Sequence, residues 1–164
     1  MTAIEFYDSA PGIFPQGAKY AALYADGDFN QGGQFGHIPN RRWISVIGGA
    51  AAASYAVIVD FEQGNPVFFT PNALHDWAFQ RKSAGHRFRV YSSRTDVHAA
   101  FQQVGSLDAE WWIATLDNNP HWTPALIVAS VRAISGVTLS EQSIWGIQWG
   151  TNNRYDTSYL TGQW

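Results

Sequence analysis

The sequence of 164 residues contains no cysteine, so it can form neither a disulfide nor a thiolate site for metal binding or nucleophilic catalysis. Charged residues are scarce, at 14%, and the formal net charge of -3 provides no basic surface for nucleic acid. No stretch approaches the roughly 20 apolar residues that span a bilayer, and no basic segment followed by an apolar one opens the chain. We therefore expect no nucleic-acid partner, no membrane span and no signal peptide, which predicts a protein that is cytoplasmic before release or virion-associated.

Several motifs of metal and cofactor sites are also missing. The five histidines have no His-Glu-x-x-His or comparable spacing, so no zinc site is predicted. No serine lies in a Gly-x-Ser-x-Gly elbow, and Gly48-Gly49 lacks the spacing of a dinucleotide or Walker loop. The sequence thus predicts no metal and no cofactor.

Apolar and aromatic residues are abundant. Hydrophobic residues make up 46% of the chain and aromatic residues 15%, with eight tryptophans. A chain of this length and composition is expected to fold as one domain, residues 1–164. Aromatic rings pack in cores, but they also form flat platforms on which sugars stack, so a carbohydrate ligand is one hypothesis.

Eight short apolar and β-branched runs, bounded by turn residues, predict eight strands. They are 4–8, 20–26, 42–47, 55–62, 88–92, 111–116, 144–149 and 155–159. Continuous apolar runs such as YAVIVDF are typical of parallel strands buried on both faces, and parallel strands require helical crossovers. Helices are predicted over 72–84 and 95–104, whereas 123–140 fits a buried helix and a strand equally well. The pattern indicates an α/β fold with either a compact barrel or an open sheet.

Acidic residues end many of the predicted strands, where α/β proteins carry their sites. Asp60 and Glu62 lie two apart in one strand and therefore share a face. Because two close carboxylates repel, one tends to keep its proton near neutral pH, and the pair then offers the acid and the anion that glycoside hydrolysis needs. A carboxylate at a strand end can also cap the next helix or face solvent, so the pair alone leaves both interpretations open.

Aromatic and acidic residues at other strand ends are candidates for contacts with a substrate. Rings near strand ends can line a cleft, although core packing is the alternative for each of them. The predicted substrate-binding residues are Tyr91, Trp112, Trp149, Asp26 and Asp117.

Taken in order, the strand motifs resemble those of the family 25 glycoside hydrolases, the lysozyme-type muramidases, and of a related glycoside-hydrolase-like domain found in actinobacteria and their phages. The motifs are FYDS, YAVIVDFE, VYSS, WWIATLD, and IWGIQWG followed by YDTS. The resemblance covers most of the chain and implies a compact irregular (β/α) barrel, TIM-like, whose last strands lack full helices. It also implies cleavage, without a cofactor, of the β-1,4 bond between N-acetylmuramic acid and N-acetylglucosamine.

The resemblance implies roles for individual residues. Glu62 matches the family's general acid, and Asp60 matches the partner that steadies the transition state. Asp8 and Asp156 match the flanking carboxylates of the same cleft, and the three aromatic candidates match the rings that line it.

Two functional hypotheses follow from these residues, with a structural domain as a third. The leading one is a glycosidase that cleaves the glycan of bacterial cell-wall peptidoglycan. The alternative is a catalytically inactive carbohydrate-binding module, or a structural part of a phage virion or tail, on the same scaffold. A structural domain with no ligand would instead have Asp60 and Glu62 exposed and far from Asp8 and Asp156.

Overall fold

Eight strands, in sequence order, close into a single barrel. The computed structural model describes residues 4–26, 30–31, 35, 37–45, 55–62 and 70–161. The strands are β1 (Ile4–Asp8), β2 (Tyr20–Tyr24), β3 (Asn40–Ser45), β4 (Ile58–Asp60), β5 (Arg89–Ser93), β6 (Glu110–Ala114), β7 (Ile144–Thr151) and β8 (Asp156–Leu160). Each corresponds to a predicted strand, and the end of the predicted 42–47 strand, like Gly48-Gly49, lies outside the described residues. The expected α/β barrel is confirmed.

The direction of the last strand differs from the all-parallel expectation. Strands β1 to β7 pair in parallel, whereas β8 is antiparallel to both β7 and β1. Residues 152–155 are the whole connection between β7 and β8. A strand parallel to β7 would need a crossover connection of about a dozen or more residues. A connection as short as this one can only reverse the direction of the chain. The barrel is therefore mixed.

Three helices follow the central strands: α1 (Pro71–Ser83) after β4, α2 (Val97–Val104) after β5 and α3 (Pro124–Ser135) after β6. Short 3-10 turns lie at Gly105–Leu107 and Glu141–Ser143. In α1 and α3 a threonine side chain caps the first turn, and proline, whose fixed φ suits that turn, follows it. The ambiguous segment 123–140 thus contains a helix, which ends at Gly136 with a φ of 74°. Within the described part of the chain, no helix has the length and apolar character needed to cross a membrane.

In the part of the chain that the structure describes, the three helices lie on one side of the barrel. Outward-facing residues of β4 to β7, such as Val90 and Ile113, form one apolar layer with the buried faces of the three helices. Outward-facing Ala21 and Leu23 of β2 pack instead against Ile38. Among the described residues, none of the outward-facing side chains of β8 or β1 belongs to an apolar cluster. The outer face of β8 and β1 is therefore not part of the apolar layer that the helices cover.

The barrel interior is filled by aromatic rings. The Trp112 ring lies 5.1 Å from that of Phe6 and 4.7 Å from that of Tyr91, centroid to centroid. The indole Nε1 of Trp112 donates to the Ser158 hydroxyl at 3.0 Å, so its polar atom is satisfied at full burial. At the amino ends of the strands, the Arg89 guanidinium lies 4.5 Å from the Trp145 ring centroid. The interior is a packed core and no pore.

Gly146 of β7 tests this packing. A Cβ at this position would lie 3.1 Å from Cδ1 of Trp112 and 3.2 Å from Cζ of Phe6, closer than ordinary van der Waals contact. Because a filled core resists extra atoms, we expect Gly146→Ala to lower the free energy of unfolding by about 1–3 kcal/mol, measured by urea denaturation.

Gly150, on the same strand, is the matched control. A Cβ there meets its nearest atom, Oδ1 of Asn118, at 3.7 Å. Gly150→Ala should change the free energy of unfolding by no more than about 0.5–1 kcal/mol. Equal losses in the two variants would contradict the packed interior.

Candidate functional site

Acidic side chains from three strands meet at one end of the barrel. We call this end the mouth; it is formed by the carboxyl ends of β1 to β7 and by the start of β8. Asp8 ends β1, Asp60 ends β4, and Asp156 begins β8 as the Cα partner of Asp8. Phe6 and Ile58, each two residues before an aspartate, pack in the inner cluster, so strand alternation directs both carboxylates into the mouth.

Asp8 and Asp60 are the most buried of these acids, at 3% and 4% exposure. Burial raises the pKa of Asp8 well above its usual range, and the charge of Asp156 adds to the effect. Burial likewise raises the pKa of Asp60, and the charges of Glu62 and Asp8 raise it further. Among the described residues, neither Oδ1 atom of these aspartates has a hydrogen-bond partner. Burial thus favours the protonated form of both carboxyl groups, and one oxygen of each has bonding capacity left for a ligand.

Glu62 and Asp156 are half-buried and form the accessible part of the acid group. Burial raises the pKa of Glu62, and the charge of Asp96 raises it further. Burial also raises the pKa of Asp156, while the neighbouring polar side chains of Thr151 and Gln148 partly oppose this effect. Of the four mouth acids, Asp156 is the one best supported as an anion.

Two buried tyrosines share the mouth with these acids. Burial raises the phenol pKa of Tyr24 and of Tyr91, and for both phenols Asp8 and Asp60 are the two largest charge effects. Both phenols are therefore neutral at physiological pH and able to donate a hydrogen bond. Tyr91 was predicted for this cleft, whereas Tyr24 was not.

Tyr24 and Asp96 are the site residues that sequence reasoning missed. Tyr24 could have been found, because it lies two residues before Asp26 and therefore on the same strand face. Asp96 stands just before α2, where its carboxylate accepts a hydrogen bond from the Ser93 hydroxyl at 2.9 Å. The sequence pattern that could have indicated Asp96 is the serine at the end of β5 followed three residues later by an aspartate. The same pattern is typical of a turn that has only a structural role.

The remaining predicted aromatics lie away from the acids. Trp112 is fully buried in the interior, where its ring supports Tyr91 and has no surface for a ligand. Trp149 lies on the outer face of the barrel, with its ring centroid 5.6 Å from that of Tyr159. The reason is alternation along β7: Ile147 faces the helices, and Trp149, two residues later, is on the same outer face.

The predicted substrate-binding aspartates Asp26 and Asp117 are engaged in local hydrogen bonds. Asp26, just after β2, accepts a hydrogen bond from the Ser45 hydroxyl. Asp117, in the loop after β6, accepts from Nε1 of Trp122 at 3.0 Å and from the backbone N–H of Asn119 at 3.2 Å. Neither contributes to the charges that act on Asp8 and Asp60. The structure gives both a role in organising the rim.

The arrangement differs from that expected of a domain with no ligand. Asp60 is buried and charge-coupled to both Glu62 and Asp8, and Asp156 pairs directly with Asp8. Among the described residues, no group of three or more His, Asp or Glu side chains has the geometry to hold a metal ion. The carboxyl and phenol groups of this mouth can transfer protons and form hydrogen bonds.

Comparisons with known proteins support the fold and go no further. No family model matches the sequence, and no curated protein matches it. A 1.07 Å crystal structure of an uncharacterized B. stearothermophilus protein is similar over 96% of this chain and 95% of that chain, with a TM-score of 0.60 and 14% sequence identity. At this level of identity the similarity shows a shared fold alone.

The buried acids predict how stability depends on pH. The folded protein holds the Asp60 proton to a higher pH than the unfolded chain, whose aspartates titrate at about pH 3.9. This contribution to stability is complete below that pH and is lost as the pH rises through the raised pKa. Urea denaturation between pH 4 and pH 8 should therefore show a loss of stability for wild type that Asp60→Asn reduces.

Glu141→Gln is the control, because Glu141 is an exposed carboxylate in a 3-10 turn. It should keep the wild-type pH dependence. If Asp60→Asn kept it too, Asp60 would have no raised pKa in the folded protein.

Proposed function

We propose that the mouth cleaves a glycosidic bond in the glycan of bacterial cell-wall peptidoglycan by acid-assisted hydrolysis. The observation that carries this proposal is the convergence of four carboxyl groups, all with raised pKa values, and two neutral phenols at one end of the barrel. Glycoside hydrolysis needs one protonated carboxyl group and one carboxylate beside the same bond. No cofactor is required for this reaction.

The finer description of the fold, a TIM-like (β/α) barrel, belongs to the same proposal. Its support is the run of parallel strands β1 to β7 with helices after β4, β5 and β6, and the acids at the carboxyl ends of the strands. The antiparallel β8 departs from that pattern. The carboxyl-end location of the acids is the feature that matters for the proposed chemistry.

Glu62 is proposed as the general acid. It is half-buried, so a substrate can reach it, and its raised pKa keeps its proton closer to neutral pH than an ordinary glutamate would. Its proton passes to the oxygen of the leaving sugar as the glycosidic bond breaks; water then adds to the anomeric carbon, and the proton that this water loses restores the acid.

The anion that steadies the oxocarbenium-like transition state has two candidates. The family resemblance gives this role to Asp60. Complete burial next to Glu62 and Asp8 opposes ionisation of Asp60, whereas Asp156 is only half-buried and its anionic form is favoured by Thr151 and Gln148. We therefore propose Asp156 as the anion, with Asp60 and Asp8 as neutral hydrogen-bonding groups beneath the sugar. Tyr24 and Tyr91 add two hydroxyl donors for sugar oxygens.

The central test is the formation of new reducing ends from purified cell walls. Glu62→Gln should lower the rate by about 10²–10⁴-fold, the usual contribution of a general acid, and retain binding to the walls. Asp156→Asn should lower it more than Asp60→Asn if Asp156 is the anion. Glu141→Gln is the control for loss of a carboxylate outside the mouth. Equal rates for wild type and Glu62→Gln would overturn the assignment of the acid.

The pH profile supplies a second test through Asp96. Because Glu62 must be protonated, kcat/KM should fall as the pH rises through its raised pKa. The charge of Asp96 contributes to that rise, so Asp96→Asn should move the alkaline limb of the profile to lower pH. A limb that stays in place would mean that another group carries the proton.

A second candidate function is a catalytically inactive carbohydrate-binding module or a structural part of a phage virion or tail. The observation that favours it is the 3% and 4% exposure of Asp8 and Asp60, which leaves little room for a polymer at the deepest acids. Wild-type protein that binds cell walls without forming reducing ends would support this candidate over the glycosidase.

A further inference from the structure

The side of the barrel away from α1, α2 and α3 carries a strip of aromatic rings. On the outer face of β7, β8 and β1, and on the turn between β7 and β8, four rings are partly exposed. They are Tyr7, Trp149, Tyr155 and Tyr159. Water-facing aromatic surface is costly, so several such rings on one face indicate a surface that is covered in function.

The rings of Trp149 and Tyr159 stack on one another. They lie 28° from parallel with centroids 5.6 Å apart, so one face of each ring is turned toward the other. A stacked pair does not enclose a cation from several sides, as the rings of a cage for a methylated or quaternary ammonium group do. The part of the stack that remains exposed suits the apolar C–H face of a sugar ring.

Polar groups for sugar hydroxyls lie between the rings. Glu5, on β1, is the Cα partner of Tyr159 and accepts a hydrogen bond from the Tyr7 hydroxyl. The charge of Glu5 contributes to raising the phenol pKa of both tyrosines, after burial in each case, which indicates that its carboxylate is close to both. Glu5 is exposed and has acceptor capacity left for a ligand hydroxyl.

The strip is continuous with the mouth and with a cleft. Tyr7 and Tyr155 form an edge-to-face pair with centroids 5.4 Å apart, and each precedes a mouth acid, Asp8 or Asp156, in the chain. On the other side, Glu5 and Tyr7 form one wall of a cleft of about 290 Å³ that the 15–20 loop completes. A chain of sugars can therefore lie along the outer face and reach the rim beside the acids.

We infer that this aromatic strip is a second, non-catalytic binding surface for a β-1,4-linked amino-sugar glycan, which holds the polymer while the mouth acts on it. The choice of glycan rests on the proposed function of the mouth. The ring geometry and the position of Glu5 are independent of that function.

The test is co-sedimentation with purified Gram-positive peptidoglycan and with insoluble chitin, carried out in a Glu62→Gln background to prevent hydrolysis. Trp149→Ala should weaken binding by about tenfold, the order expected from losing one aromatic stacking contact. Trp149→Phe should restore most of the affinity, because it keeps a ring at this position; this variant separates loss of stacking from loss of folding.

Phe79→Ala is the matched control. Phe79 is an exposed ring, at 55%, on α1, which packs against the helix-covered side of the barrel. Its removal should leave binding unchanged. Full binding by Trp149→Ala, or equal losses in Trp149→Ala and Phe79→Ala, would overturn the proposal, and so would binding that about 1 M salt abolishes, since at that concentration charge interactions are screened over ~3 Å.

The results also separate this surface from the mouth. Binding that depends on Trp149 without any reducing ends from wild type would support the strip and reject the glycosidase. Reducing ends without any effect of Trp149 on binding would do the reverse.

Discussion

The short turn between β7 and β8 is the constraint on which the rest of the molecule depends. Because only residues 152–155 join the two strands, β8 runs antiparallel and fills the gap between β7 and β1. This closure sets Asp156 beside Asp8 and so completes the acid group of the mouth. It also explains why no helix lies between β7 and β8: a tight turn replaces the helical crossover that a parallel strand would need. The candidate site and the aromatic strip have the same origin.

Bringing several carboxyl groups together in the mouth causes electrostatic repulsion, and the neighbouring side chains decide how each acid responds to it. Carboxyl groups that are buried together cannot all ionise, so the interior favours their protonated forms. Polar neighbours differ among the acids: Thr151 and Gln148 act on Asp156, whereas Asp8 and Asp60 each keep an oxygen without a partner among the described residues. Differences of this kind between neighbouring carboxyl groups are how proteins assign an acid and an anion to one site.

Local sequence patterns were enough to predict the strands and the four carboxyl groups that meet at the mouth, although they also suggested Asp26 and Asp117 and missed Asp96. The prediction for β1, Ile4–Asp8, matches the structure at both ends, and Asp60 lies on the same strand face as Ile58, two residues before it, as the alternation predicted. Patterns were insufficient where a property depends on the whole barrel. The direction of β8 depends on its connection, and the outward position of Trp149 depends on which face of β7 turns toward the helices in the closed barrel. The α3 segment was ambiguous because a buried helix and a buried strand have the same apolar composition, and only the Thr-Pro start and the glycine end distinguish them.

The pairing of β1 with β8 also has a consequence for how the protein folds. Ile4 pairs with Leu160 and Asp8 with Asp156, so the ring is closed by contacts between segments that are among the most distant in the described sequence. Closing so long a loop is entropically unfavourable and tends to occur late, after the locally connected β4 to β7 region with its three helices. The repulsion among the mouth acids then arises mainly in this last step. A chain that has not closed its ring has neither the acid group nor the sheet that displays the aromatic strip, so both surfaces form only in the completed fold.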